Sequence, residues 1–266
     1  MDLGLNDKIA MVTGAAGGIG SAIARGLCEE GCKTIFVDID TDGLKRATRG
    51  YKPSATEEVC DITNRKKVED LFKRIITKFG TLHILVNCAA VNSAEYIEEI
   101  QDETLQKIFD VNIKGYIYPT IYAIPLMKKA GYGRLIYINS NSGLKASAGL
   151  PLYSGSKYFN RGFAISTALE LGKYGITSNS ICPSDVYPEG EIEAKSWKNE
   201  SLLKISFEKE GVSSLKELIK KRNSKNPMKR SCTVEDIKNA VLFLASERAG
   251  FINGQSIGVN GGTIPY

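Results

Sequence analysis

A short apolar run that leads directly into a glycine-rich turn constrains this chain more than any other feature of its sequence. Residues 8–12 have the composition of a short buried strand, and residues 21–27 have that of a helix. The turn between them contains Gly14, Gly18 and Gly20, at the spacing of turns that hold a dinucleotide between a strand and a helix. Units of this kind belong to α/β folds, so the segment predicts a parallel sheet covered by helices.

The rest of the chain continues the alternation of strand and helix. Several predicted strands are apolar on both faces, as expected in a parallel sheet covered on both sides. The other predicted strands are 34–37, a weak run ending near 59–60, 82–87, 134–140, 177–182 and 255–259. Helical spacing is clearest in 68–79, about 102–130, the segment around Tyr153, and 234–246. We therefore expect one domain, residues 1–266, with a Rossmann-like doubly wound parallel β-sheet of roughly seven strands.

Residues 187–230 interrupt this alternation. The segment contains Trp197 and few strand signals, so we expect a helical excursion that covers the substrate. Its cations suggest an anionic substrate, such as a sugar phosphate or sugar acid, although interspersed glutamates make solvated helix faces the simpler interpretation. These cations are Lys195, Lys198, Lys204, Lys209, Lys216, Lys220, Lys221 and Arg222.

Composition excludes several classes of protein. The net charge of +5 is mild and no arginine-rich block is present, which argues against nucleic-acid binding. No apolar run is long enough for a membrane span, and the first residues lack the basic and apolar regions of a signal peptide. The scattered cysteines are interpreted as reduced thiols of a cytoplasmic protein. They are Cys28, Cys32, Cys60, Cys88, Cys182 and Cys232.

The only histidine argues against two further kinds of active site. His83 lies in an apolar run and is predicted to be a strand residue. A single histidine makes a Ser-His-Asp hydrolase improbable. Cys28 and Cys32 are one helical turn apart, but no second pair of ligands completes a metal site, so no metal is expected.

An acid follows the second predicted strand. Asp38 stands about 20 residues beyond the glycine turn, where a carboxylate can accept hydrogen bonds from both ribose hydroxyls of an adenosine. The same charge repels a 2′-phosphate, and no lysine or arginine stands in the glycine turn or directly after Asp38. The sequence therefore favours NAD over NADP. Asp40 is interpreted as a helix cap.

A tyrosine and a lysine one helical turn apart form a candidate proton-transfer pair. Tyr153 and Lys157 share one face of a helix, and a nearby ammonium lowers the pKa of a phenol. Most pairs at this spacing are solvated helix surface, so the case depends on other residues. Ser140 ends the fifth predicted strand, at the edge where ligands of open α/β sheets bind. Asn112 stands in mid-helix, where asparagine is unfavourable unless its side chain has a task.

Taken together, these motifs resemble the short-chain dehydrogenase/reductase family over nearly the whole chain except residues 187–230. The resemblance implies a catalytic tetrad of Asn112, Ser140, Tyr153 and Lys157. It implies cofactor contacts from Gly14, Gly18, Ile19, Gly20, Asp38, Asp61, Ile62, Asn87, Tyr153, Lys157 and the backbone of Val186. Among these, Asp61 is similar to the family's acid at the adenine amino group. The run 254–262 is similar to the usual family ending.

Two motifs depart from the family pattern. Cys88 and Ala90 replace an asparagine and a glycine after Asn87. Ser184 replaces a glycine after the sixth strand, and Pro188 replaces the threonine that helps hold the nicotinamide amide. The second departure affects the shape of the substrate-side loop rather than the chemistry.

The resemblance implies an NAD-dependent oxidoreductase that interconverts a secondary alcohol and a ketone. Tyr153 would move the proton, Ser140 would bind the reacting oxygen, Lys157 would bind the nicotinamide ribose, and Asn112 would hold a water. The 187–230 segment is similar to that of members acting on sugars and polyols, while hydroxysteroid and 3-oxoacyl substrates remain open. A non-catalytic NAD-binding redox sensor is the alternative from another class. Many relatives are tetramers, and a homotetramer or dimer is expected.

Small residues in the Tyr153 helix would allow a second copy of the chain to approach closely. They are Gly155, Gly162, Ala164 and Ala168.

Overall fold

Seven parallel strands form one sheet in the computed structural model, which describes residues 2–187 and 200–265. The strands are β1 (Ile9–Thr13), β2 (Lys33–Asp38), β3 (Ala55–Val59), β4 (Ile84–Asn87), β5 (Gly133–Ile138), β6 (Ile176–Pro183) and β7 (Ser256–Val259). Their order across the sheet is β3-β2-β1-β4-β5-β6-β7. The order reverses between β1 and β4, which confirms the predicted doubly wound sheet.

Helices cover both faces of this sheet. They are α1 (Gly18–Glu29), α2 (Thr41–Ala47), α3 (Arg65–Phe79), α4 (Asp102–Ile108), α5 (Gly115–Ala130), α6 (Pro151–Leu171), α7 (Glu200–Glu210), α8 (Leu215–Lys225) and α9 (Val234–Ala245). One apolar core lies between the sheet and α1, α2 and α9, and a second lies between the sheet and α3, α5 and α6. Adjacent strand residues alternate between the two cores: Val12 belongs to the first and Met11 to the second.

Two sequence-level expectations need correction at element boundaries. The helical region predicted from 102 to 130 contains a π-helical turn, Phe109–Lys114, between α4 and α5. In this turn the backbone N–H of Gly115 donates to the carbonyl of Asp110, and the side chain of Asn112 is fully buried. His83 is not in a strand but directly precedes β4, where its Nδ1 accepts the backbone N–H of Ile9 at 2.9 Å.

The described part of residues 187–230 contains the helices α7 and α8. Leu202 and Ile205 of α7 pack against Ala94 and Leu150, so α7 lies over the loop that precedes α6. Three expectations concern residues outside the described ranges, namely those on Pro188, Trp197, and the pair Lys195 and Lys198. Across the described residues, no helix combines the length and the apolar character that crossing a bilayer requires.

Candidate active site

A groove of about 1690 Å³ lies along the carboxyl edge of the sheet. Its walls are formed by residues that follow β1, β2, β4, β5 and β6, together with parts of α6, α7 and α8. Ligands of open parallel sheets bind at this edge, where the strand order reverses. The volume is larger than the roughly 300–1,000 Å³ of a typical small-molecule pocket, so the groove has room for a dinucleotide and a second molecule.

Most residues singled out in the sequence line this groove. They are Gly14, Gly18, Ile19, Gly20, Asp38, Asp61, Ile62, Ser140, Tyr153, Lys157 and Val186. Two do not: the side chains of Asn87 and Asn112 are fully buried behind the wall. The candidate residues therefore fall into two sets. One set lines the groove, and the other, Asn87 and Asn112, is buried behind it.

The glycine turn leaves the start of α1 open to the groove. A side-chain carbon at Gly20 would lie 2.1 Å from the carbonyl oxygen of Gly14, so only glycine allows this close approach. Gly18 has a φ of 51°, and a side-chain carbon there would meet nothing within 4 Å, so its absence leaves free space in front of the helix. No acidic residue stands in the first turn of α1. Its amides and partial positive charge therefore suit an anion such as a pyrophosphate.

Asp38 is held firmly at the end of β2. Its Oδ2 accepts the backbone N–H of Ala16 at 3.0 Å, and its Oδ1 accepts the N–H groups of Ile39 and Asp40 at 2.7 and 3.0 Å. The carboxylate thus links the glycine turn to the segment after β2, and Asp38 lines the groove there.

Arg46 is a cation that the sequence analysis missed at the same end. It lies on α2, lines the groove, and its side chain is 53% exposed. Its Nη2 is 3.8 Å from Oδ2 of Asp40, the residue that caps α2 by accepting the N–H of Gly43. Arg46 returns to the groove because it stands in the last turn of α2. The residues directly after Asp38 in the sequence give no sign of this.

Asp61 and Ile62 follow β3 and form the next part of the wall. Asp61 Oδ1 accepts the N–H and the hydroxyl of Thr63 at 3.0 and 2.7 Å, which orients the carboxylate. Its side chain remains 39% exposed. Ile62 is buried and contributes apolar surface beside it.

The segment after β4 carries the first departure from the family pattern. The Nδ2 of Asn87 donates to Thr120 Oγ1 at 3.2 Å, so this side chain fixes the strand end to α5 instead of facing the groove. The backbone N–H of Cys88 donates to Thr13 Oγ1 at 3.1 Å. Cys88 itself lines the groove, and burial raises the pKa of its thiol to about 12, so it is neutral.

Tyr153, Ser140 and Lys157 meet at the centre of the groove. Tyr153 and Ser140 both line the groove, and the Ser140 side chain is near enough to lower the pKa of the Tyr153 phenol. Lys157 Nζ lies 5.5 Å from the centre of the Tyr153 ring and donates to the carbonyl of Ile138 at 2.9 Å. Lys157 is only 1% exposed, and its Nζ also lies 3.5 Å from the Tyr116 hydroxyl. A phenol, a hydroxyl and an ammonium therefore converge on one place.

Burial dominates the titration of this group. It raises the pKa of Tyr153 to about 12, an effect that the hydrogen bond from Ser140 reduces and the charge of Asp185 increases. Burial also lowers the pKa of Lys157 to about 8. We expected the Lys157 ammonium to pull the pKa of Tyr153 down. Desolvation instead raises this pKa, because taking the phenolate out of water is costly.

Asn139 is a second residue that the sequence analysis missed. Its side chain is 4% exposed, its Oδ1 accepts the N–H of Ser140 at 2.9 Å, and its Nδ2 donates to the carbonyl of Lys157 at 3.1 Å. The signal available was an asparagine directly before the serine, at the end of the apolar run 135–138. Its partner on α6 is distant in sequence, so the contact itself was not predictable.

Asn112 has structural contacts that account for its place in the π-helical turn. Its Oδ1 accepts the N–H of Val91 at 2.9 Å, and its Nδ2 donates to the carbonyl of Val91 at 2.9 Å and to Ser156 Oγ at 3.1 Å. Its side chain therefore clamps the loop after β4 to α6. A water held by Asn112 would have to use the main chain of the turn.

The loop after β6 forms the substrate side of the groove. Val186 forms a parallel bridge with Cys232 and faces the groove, as expected for a backbone contact there. Asp185 pairs with Arg222 of α8 at 3.0 Å (Oδ2 to Nη1). Across the described residues, no group of three or more histidine, cysteine or acidic side chains could hold a metal ion.

Comparison with known proteins agrees with this geometry. Residues 8–199 match the family model described as short chain dehydrogenase, and residues 202–263 match one described as enoyl-(acyl carrier protein) reductase. The chain therefore belongs to the short-chain dehydrogenase/reductase family. It is an oxidoreductase acting on CH–OH or carbonyl groups, of a family whose members bind nicotinamide cofactors.

Individual relatives differ in the substrates that their names give. The chain is 33% identical over 258 residues to the 3-oxoacyl-acyl-carrier-protein reductase FabG of Buchnera aphidicola, covering 97% of this chain and 98% of that protein. It is 31% identical over 261 residues to galactitol 2-dehydrogenase of Agrobacterium fabrum, with the same two shares covered. A solved structure of ligand-free aldohexose dehydrogenase from Thermoplasma acidophilum superposes with a TM-score of 0.82 at 29% identity, covering 97% of this chain and 94% of that one.

Proposed function

We propose that this protein is an NAD(H)-dependent dehydrogenase that interconverts a secondary alcohol and a ketone, with a sugar, a polyol or a sugar derivative as its substrate. The observation that carries the proposal is that Tyr153, Ser140 and Lys157 line the same groove, with the buried ammonium of Lys157 one helical turn along α6 from Tyr153. These groups suit proton transfer at an oxygen atom.

The groove fits a dinucleotide. Free space in front of Gly18, an α1 N-terminus without acidic residues, and the fixed carboxylate of Asp38 are the features that a pyrophosphate and an adenosine ribose require. When bound, the cofactor takes the hydride that leaves the carbinol carbon, or returns it in the opposite direction.

The chain's own residues move the proton. In oxidation the phenolate of Tyr153 takes the proton of the substrate hydroxyl, and in reduction the phenol gives it back. Ser140 donates a hydrogen bond to the reacting oxygen and holds it beside Tyr153. Lys157 binds the nicotinamide ribose and adds the positive charge that favours the phenolate. Asn112 positions α6 through Ser156, and the turn around it holds a water that leads to Lys157.

The preference for NAD rests on Asp38. Its charge faces the adenosine end of the groove and repels a 2′-phosphate, while both carboxylate oxygens already accept backbone N–H groups that keep it in place. Arg46 lies at the same end, and its positive charge would attract a 2′-phosphate. Asp40 offsets part of that charge, since its Oδ2 lies 3.8 Å from Arg46 Nη2.

A sugar or polyol substrate is supported by the polar side chains on the substrate side of the groove, which stand beside the apolar Leu202 and Ile205. Among the described residues there, Ser184, Asp185, Glu210, Arg222 and Asn223 all line it. The names of two relatives, galactitol 2-dehydrogenase and aldohexose dehydrogenase, describe activities of this kind in those proteins.

A 3-oxoacyl reductase is the second candidate, because FabG is among the similar proteins and residues 202–263 match the enoyl-reductase model. An apolar hydroxysteroid fits the charged wall less well. A redox sensor without turnover is the candidate from another class, and the intact set of Tyr153, Ser140 and Lys157 argues against it.

The deciding experiment is turnover with purified protein. NAD reduction is measured with alditols, aldoses, sugar phosphates, sugar acids and hydroxysteroids, and NADH or NADPH oxidation is measured with 3-oxoacyl thioesters. The proposal expects the highest kcat/KM with an alditol or aldose and NAD. The highest kcat/KM with a 3-oxoacyl thioester supports the second candidate, and coenzyme binding without turnover of any substrate supports the sensor.

We also propose that the protein is a homo-oligomer, a tetramer or a dimer, assembled through α5 and α6. Apolar side chains are exposed on these helices, with exposed fractions of 39% for Ile121, 39% for Phe159 and 84% for Leu169. Gly155 and Gly162 face open space, so two copies can approach closely there.

Two of the four small residues expected at such an interface do not lie on it. Ala164 and Ala168 are 2% and 3% exposed within one chain, because they pack inside its own fold. Light scattering on Leu169→Lys, with Ile76→Lys on α3 as a matched control, tests the assembly. A monomeric unmodified protein contradicts the proposal.

A cytoplasmic location is part of the same proposal. All six cysteines are free, and five of them are buried. Reduced thiols in these numbers are typical of proteins in a reducing compartment.

A further inference from the structure

A charged cluster lies on the substrate side of the groove, apart from the groups that move the proton. Asp185 Oδ2 and Arg222 Nη1 form an ion pair of 3.0 Å. Arg222 Nε is also 3.8 Å from Glu210 Oε1, and Glu210 Oε2 is 2.6 Å from Lys225 Nζ. All four side chains line the groove. Two carboxylates thus face two cations, and these four side chains carry no net charge between them. Lys209 also lines the groove and donates to the carbonyl of Ala148.

Asp185 stands close to the reacting groups. It follows β6, which pairs in parallel with β5, and Ser140 follows β5. The carboxylate is near enough to Tyr153 for its charge to act on the phenol. Its side chain is 46% exposed although one oxygen is paired with Arg222, so hydrogen-bond acceptors remain open to the groove.

Arg222 holds this carboxylate from a rigid element. It is 22% exposed, and its Nη1 also lies 3.4 Å from the hydroxyl of Tyr187. The helix that carries it, α8, begins with a side-chain cap, in which Ser214 accepts the N–H of Glu217. An acceptor fixed by a helix-borne guanidinium is organised before the substrate arrives.

We propose that the Asp185–Arg222 pair selects neutral polyhydroxylated substrates, Asp185 accepting a hydrogen bond from a hydroxyl on a carbon next to the reacting one. The proposal rests on the function proposed above and extends it by naming the recognising residues and the charge of the substrate. A substrate carboxylate or phosphate at this place would meet Asp185 and be repelled, since Arg222 and Lys225 already have acidic partners and Lys209 donates to the carbonyl of Ala148. An acyl chain would leave the charged pair without a polar partner.

The test compares the kcat/KM of the best alditol with those of its aldonate and of 2-butanol, at saturating coenzyme. The unmodified protein should prefer the alditol to the aldonate. In Asp185→Asn the ratio of kcat/KM for the alditol to that for 2-butanol should fall about tenfold. The alditol loses its charge-assisted hydrogen bond to Asp185, whereas 2-butanol has no second hydroxyl that could form one. The ratio of kcat/KM for the alditol to that for the aldonate should also fall, because the negative charge of Asp185 no longer repels the aldonate.

Further variants distinguish recognition from a loss of structure. Glu208→Gln, at an exposed position of α7 away from the groove, serves as the matched control and should change none of these ratios. Arg222→Gln should also lower the alditol ratio. In the double variant Asp185→Asn/Arg222→Gln, the alditol to 2-butanol ratio should fall little further than in the more affected single variant, because the two residues act as a unit.

Three results would overturn the inference. They are equal losses for alditol and 2-butanol in Asp185→Asn, fully additive losses in the double variant, and a preference of the unmodified protein for the aldonate. Absence of turnover with every alcohol would instead refute the proposed function itself.

Discussion

The side-chain amide of Asn139 donates to the carbonyl oxygen of Lys157 at 3.1 Å and so joins the end of β5 to α6. Through its Oδ1 the same side chain accepts the N–H of Ser140 at 2.9 Å. One buried residue therefore sets the distance between the serine that would bind the reacting oxygen and the helix that carries Tyr153.

Replacing this residue should lower turnover through misplacement. We expect Asn139→Ala to reduce kcat at least tenfold, and to lower the free energy of unfolding by about 1–3 kcal/mol because two buried partners lose their hydrogen bonds. Steady-state kinetics and denaturant unfolding measure the two effects. Asn139→Asp keeps the acceptor for Ser140 but places an oxygen against the Lys157 carbonyl, so it should not rescue kcat. An unchanged kcat in Asn139→Ala would show that the contact has no part in positioning.

Removing one oxygen atom from Tyr153 should separate binding from chemistry. Tyr153→Phe should lose about 10²–10⁴-fold in kcat, the usual contribution of a positioned acid or base, while its Kd for NAD stays the same. Coenzyme fluorescence titration and initial rates give the two quantities. Tyr174→Phe, at an exposed position after α6, serves as the control with full activity. Full activity of Tyr153→Phe would remove the basis of the proposed mechanism.

The charge at Asp38 should decide between the two coenzymes. In Asp38→Asn we expect the ratio of kcat/KM for NADP to that for NAD to rise at least about tenfold, equivalent to about 1.4 kcal/mol, because the repulsion of a 2′-phosphate disappears. Adding Arg46→Gln should reverse most of this gain, since Arg46 is then the cation nearest to the phosphate. If the ratio is unchanged by Asp38→Asn, some other group sets the preference. Thermal unfolding checks that the glycine turn still folds, because an amide offers one acceptor oxygen where Asp38 uses two.

Acid should destabilise the protein through His83. Burial, and secondly the positive charge of Lys8, lower the pKa of His83 below its ordinary value, and its Nδ1 must stay unprotonated to accept the N–H of Ile9. The unfolded chain therefore binds more protons than the folded chain in acid. The free energy of unfolding is highest above pH ~6.5, the unfolded-state pKa, and decreases as the pH falls below that value toward the folded-state pKa. His83→Asn keeps an acceptor without titrating, and its stability should fall less between pH ~7.5 and ~5. Parallel curves for the two proteins would refute this assignment.

The doubly wound parallel sheet followed from the sequence because few arrangements satisfy the pattern. Strands that are apolar on both faces need helices on both sides, and right-handed crossovers leave few topologies for alternating strands and helices. The glycine turn then locates the ligand edge. The interruption at Phe109–Lys114 escaped prediction because helical signals continue on either side of it, and the extra residue is accommodated by contacts that Asn112 makes elsewhere.

The groups that the sequence did not reveal depend on partners far along the chain. Arg46 returns to the groove on a helix, Asn139 acts on α6, and Asp185 pairs with Arg222. Residue type alone was equally ambiguous for the small residues of α6, since alanine suits a packed core as well as an interface, and Ala164 proved to be in the core. The proximity of Tyr153 to Lys157 was predictable because the two residues are one turn apart on one helix.

The side chain of Asn112 connects Val91 to Ser156 and so couples the position of the loop after β4 to that of α6. The loop after β4 lines the groove, and Ser156 belongs to the turn of α6 between Tyr153 and Lys157. A displacement at either attachment is transmitted to the other through one side-chain amide. Under the proposed function, a nucleotide held against this loop would therefore also restrain the helix that carries Tyr153.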